Sequence, residues 1–173
     1  MSETFDEVDA ALNEVVGTPS TLLGRVIAAI ESLGITAQVD WEAETFEIAD
    51  MPGTDGITTG IVMQRSQAVV FHRVHGEYLD EDAKNRIIPA LARANAALDV
   101  SAVELNETLG ILSVRNAVEI GNLNVGRAVL ASLFVAAIQR VAKDAELVLP
   151  ALLKVAAGQA TVHQAEAEWK PHL

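Results

Sequence analysis

The sequence predicts an α+β fold: an antiparallel sheet of about five strands with helices packed on one face. Three observations predict it. The apolar period is helical as far as Leu33, changes to two after Gly34, and later returns to helical for a long C-terminal stretch. Half of the residues are apolar but only 4% are aromatic, so the core is built mainly from Ala, Val, Leu and Ile, which suits helices laid on a sheet. The 173 residues contain no internal repeat and no low-complexity linker, and domains cluster at roughly 100 to 150 residues, so one domain is expected.

Phe5, Val8, Leu12, Val15 and Val16 recur at helical spacing with acids between them, and Gly17 supplies a stop. Residues 1–17 therefore read as an amphipathic helical extension of the single domain 1–173. From Thr18 a second helix is expected, with Pro19 in its first turn and an apolar face of Leu22, Leu23, Val26, Ile27, Ile30 and Leu33; Gly34 ends it. Ile35, Ala37, Val39 and Trp41 then alternate with polar residues as a half-buried strand, and Glu44 to Ala49 can pair with it. The turn formers from Met51 to Gly56 lead into two strands, Ile57 to Gln64 and Ala68 to Val74, joined at Arg65 to Gln67.

Asp80 can cap a helix through about Leu98 that offers Ile87, Ile88, Leu91, Ala94, Asn95 and Leu98 to the sheet. Pro89 lies inside that pattern, so either a kink or a start just before Pro89 is expected. Ala102 to Asn106 and Gly110 to Ile120 read as a strand pair. In the second strand Leu112, Val114, Val118 and Ile120 share one face, and Ser113, Arg115 and Glu119 the other. From Asn124 to about Ala157 the chain is helix-forming, either kinked or divided at Pro150, and Gly158 closes it. Residues 159–173 form a C-terminal tail that adds one last helical turn before Pro171.

The formal charge of −12, with Lys and Arg scattered singly, argues against nucleic acid and against anionic membrane surfaces as partners. The absence of cysteine excludes disulfides, thiolate nucleophiles and Cys-ligated metal, and is compatible with a reducing cytoplasm. The first residues lack the basic and apolar regions of a secretory signal, so a cytoplasmic location is expected. The most apolar run, Ala128 to Ile138, is much shorter than the ~20 residues that cross a bilayer.

No catalytic residue, cofactor site or metal site is expected. His72 and His75 form HxxH, but residues three apart in a strand point to opposite faces, and His163 and His172 lie in the polar tail. The acids Asp40, Glu42, Glu44 and Glu47 are explained by a solvated strand face, and Asp80, Glu81 and Asp82 by a helix N-terminus. Gly121 and Gly126 fit no phosphate-binding spacing, and no serine sits in a nucleophile elbow.

Arg115 stands out as a permanent charge in an apolar strand. The plain explanation is an arginine reaching solvent along its aliphatic stem. The functional one is a protein-binding surface on the second face of the sheet, with Phe71 and Arg73 as further candidates because they share a face of their own strand.

The stretch from Ile88 to Gly158 resembles the YbjN-like family of bacterial proteins. The resemblance is carried by IIPALARANAAL, then by the hairpin VELNETLGILSVRNAVEI, then by the long helix through LVLPALLKVAAG. It implies a type III secretion chaperone-like fold, a homodimer, and a non-enzymatic chaperone-like or regulatory role with an unidentified protein partner. The alternative is a small-molecule-binding domain or cryptic enzyme with a pocket between sheet and helices.

Overall fold

The computed structural model describes residues 21–49, 56–121 and 125–172. The expected helix over residues 1–17, and Thr18 and Pro19 as helix starters, lie outside these. The first described helix, α1 (Leu22–Glu31), is capped by Thr21, whose hydroxyl accepts from the Gly24 amide at 3.1 Å. Its apolar stripe is buried along Leu22, Leu23, Val26, Ile27 and Ile30, and Gly34 follows with a φ of 74° that favours glycine.

Strands β1 (Ala37–Asp40), β2 (Thr45–Ile48), β3 (Thr58–Met63) and β4 (Ala68–Tyr78) form a meander. Helix α2 (Glu81–Ala97) then leads to β5 (Ser101–Asn106) and β6 (Ile111–Glu119). The sheet has six strands where about five were expected, in the order β1-β2-β3-β4-β6-β5, and every pairing is antiparallel. Strand β6 inserts beside β4 and leaves β5 at the edge. Gly110 makes that return possible, because it has a φ of 67° and the Leu79 backbone lies where a Cβ would stand.

Each proline expectation left two alternatives, and the structure removes one of each. Helix α2 starts at its Asp80 cap, whose carboxylate accepts from the Ala83 amide at 2.8 Å, and it runs through Pro89 rather than beginning beside it. Helix α3 (Arg127–Ala156) likewise continues through Pro150 as one helix. Both prolines are exposed, so each ring projects into solvent while the buried stripe on the opposite side keeps the helix in place. The tail also forms more than one turn. Helix α4 (Val162–Trp169) opens with a capping box between Thr161 and Gln164 and ends on a fully buried Trp169. It packs on α2 and α3, joined by ion pairs from Arg93 to Glu166 and from Lys154 to Glu168, each at 2.8 Å.

One face of the sheet carries the core. Phe46, Ile48, Val62, Val69, Phe71, Val103, Leu112 and Val114 are buried there beneath α3, with α1 and α2 beside it. Three of the four phenylalanines meet at its centre. The Phe71 ring lies edge-on between Phe46, at 6.1 Å, and Phe134 of α3, at 5.7 Å. The scarcity of aromatics is thus offset by concentrating them at one point.

Candidate functional site

Strand alternation places the remaining side chains on the opposite face, against which no described helix packs. The register lines up Glu47, Thr59, His72, Arg115 and Ala102 in one row across β2, β3, β4, β6 and β5. Ile61, Val70 and Ala117 form the neighbouring row on one side, and Val74 and Ser113 lie on the other. The face is thus a polar band between two apolar strips.

Arg115 sits on this face, as its strand pattern implies, and its Nε donates to Glu104 Oε1 across the β5–β6 pair. Both side chains are about half exposed, so the pair sets position more than stability, with a contribution of roughly 0 to 1 kcal/mol. Phe71 and Arg73 do not join it. They belong to the helix-covered face: Phe71 is 0% exposed and Arg73 7%. The Arg73 guanidinium donates to the Gly56 carbonyl at 2.7 Å and to the Thr58 hydroxyl at 3.1 Å, anchoring the approach to β3. The two residues do share a face of their strand, but it is the one opposite Arg115.

His72, considered from its sequence only as a metal ligand, lies on this surface directly across from Arg115. It lines an open-mouthed concavity of about 550 Å³ together with Thr59, Ile61, Val74, Glu104 and Ser113. Burial holds its imidazole below the ordinary value of 6.5; Glu104 raises it again and Arg115 lowers it further. His72 is therefore neutral at pH 7. Because its folded value is lower than its unfolded one, its contribution to stability is complete above pH 6.5 and is lost as pH falls through the folded value. Replacement by Gln is expected to reduce the fall in melting temperature between about pH 7.5 and about pH 5; equal falls in both proteins would remove His72 as the cause.

The concavity lies on the open face and not between sheet and helices. Among the described residues no group of three or more His, Cys, Asp or Glu side chains is placed to hold a metal ion. No helix among them is long and apolar enough to cross a membrane.

These features define an α+β domain whose antiparallel sheet is covered on one face and open on the other. The fold is YbjN-like. It is similar to the crystal structure of YbjN, "a putative transcription regulator from E. coli", with a TM-score of 0.56 and 15% identity over 82% of this chain and 94% of that one. No family model matches the sequence, and no curated protein does.

Proposed function

We propose that this chain is a non-enzymatic, cytoplasmic protein-binding module of regulatory or chaperone-like character that acts as a homodimer through the open face of its sheet. The observation that carries the reading is that face: apolar strips of Ile61 and Val70 and of Val74 and Ile111 flank the Arg115–Glu104 pair, and no described helix covers them. Its size suits the role. Six strands about 4.8 Å apart, the central ones spanning about 30 Å, give roughly 600 Å² per copy and about 1,200 Å² in total, the lower end of stable interfaces. The regulatory character follows the description given to the structurally similar YbjN.

Light scattering after size exclusion tests it. The expected mass is about 37 kDa, twice the 18.4 kDa of one chain. Val74→Glu, on the open face, is expected to return the protein to one chain mass, and Ile88→Glu, on the exposed side of α2, to leave the dimer intact. A wild-type mass of one chain at roughly 100 μM would overturn the homodimer, as would a Val74→Glu protein that stays dimeric.

A further inference from the structure

The two edges of the sheet are treated differently. On β5 the outward backbone groups of Val103 are both taken by one side chain: its amide donates to Asn95 Oδ1 at 2.7 Å, and its carbonyl accepts from Asn95 Nδ2 at 3.0 Å. Asn95 projects from the last turns of α2 and gives Val103 the bonds that a seventh strand would give. Sheet edges invite strand addition unless something blunts them, and here an amide does so.

Among the described residues no comparable device guards β1. Its partner β2 lies on one side, and on the other no described residue bonds its backbone. It contains no proline, lysine or bulge; its length of four residues and the charge of Asp40 are what discourage strand addition there. The hairpin from Ile35 to Ala49 carries Asp40, Glu42, Glu44 and Glu47 and no basic residue. Trp41, beside the edge, is 61% exposed, whereas the other tryptophan, Trp169, is fully buried. An exposed tryptophan next to unpaired backbone resembles the anchors on which interfaces concentrate their energy.

We infer that the β1 edge, Ala37 to Asp40, accepts an extended partner segment as an added antiparallel strand, and that the segment alternates basic and apolar residues. Backbone bonds supply the pairing, Trp41 packs against an apolar side chain, and the acids of the hairpin attract the basic ones. A second copy is not the occupant, because a strand of four residues buries far less than the roughly 1,200 Å² of a stable dimer. The inference rests on the reading of the chain as a protein-binding module, but its backbone pairing is made at the β1 edge and not on the open face.

The test is titration of the ¹⁵N-labelled full chain with a synthetic seven-residue Lys/Val alternating peptide, followed by amide shifts and tryptophan emission, with a Glu/Val peptide as control. The expected result is shifts concentrated on 36–41, a change in Trp41 emission and no response to the Glu/Val peptide. The variant Glu42→Gln, in the exposed turn beside the edge, is expected to weaken binding about threefold. The Val74→Glu protein is expected to bind as the wild type does, which separates this inference from the dimer face. Asn95→Ala is expected to add shifts at 101–106, because it uncovers the second edge. Shifts confined to β5 or the open face in the wild-type protein, equal binding of both peptides, or no shift at all would overturn the inference. So would protection of the β1 amides that grows with protein concentration in the absence of peptide.

Discussion

Phe71→Ala is expected to destabilise the protein by about 3 to 5 kcal/mol, measured as a lowered urea midpoint at unchanged slope. The side chain is fully buried and its ring touches Phe46 on one side and Phe134 on the other, so truncation leaves a cavity between sheet and helix that neither ring can fill alone. The size of the effect separates two roles for this residue. A residue reserved for a partner leaves the isolated chain nearly unchanged when truncated, as Val74→Ala on the open face is expected to do, within about 0.5 kcal/mol. A core residue lowers the stability of the chain itself. A Phe71→Ala midpoint within experimental error of the wild type would return Phe71 to the surface.

That Phe71 and Arg73 face away from Arg115 has a definite physical origin. Alternation shows which residues of a strand share a face, and it does so correctly for Phe71 with Arg73 and for Leu112 with Val114. It does not show which face the helices cover when both carry apolar residues, as β4 does with Val69 and Phe71 on one side and Val70 and Val74 on the other. The register that sets His72 against Arg115 depends on β6 inserting beside β4 across a helix and a hairpin, and nothing local encodes that. Signals confined to a few residues were legible: the Asp80 cap, the Gly34 stop and the turn at Arg65 to Gln67 reappear in the structure, while the turn formers from Met51 to Asp55 lie outside the described residues. Proline stays inside both helices because the opposite helix face is buried along Ile87, Ala90 and Ala94 and along Val148, Ala151 and Leu152. The Asn95 clamp on Val103 was invisible, since Asn95 looked like one more member of a helix face directed at the sheet.

Gly60→Ala is expected to destabilise the protein although alanine is the better residue on general grounds. Glycine inside a regular element costs about 0.5 to 1 kcal/mol relative to alanine, so intrinsic propensity favours the substitution. Packing opposes it more strongly. Phe46 is the direct cross-strand partner of Gly60, and a Cβ at position 60 would stand 2.0 Å from Phe46 Cζ and 2.4 Å from each Cε. The ring lies across the glycine, is 1% exposed and is held edge-on by Phe71, so it has no free direction in which to withdraw. Overpacking of this kind costs about 1 to 3 kcal/mol, enough to reverse the sign given by propensity. A double-mutant cycle shows whether the ring is the cause. In a Phe46→Leu background the same Gly60→Ala change is expected to cost less, with a coupling of about 0.5 to 3 kcal/mol. Additive losses would mean that Gly60 is retained for its backbone and not for the space it leaves to Phe46.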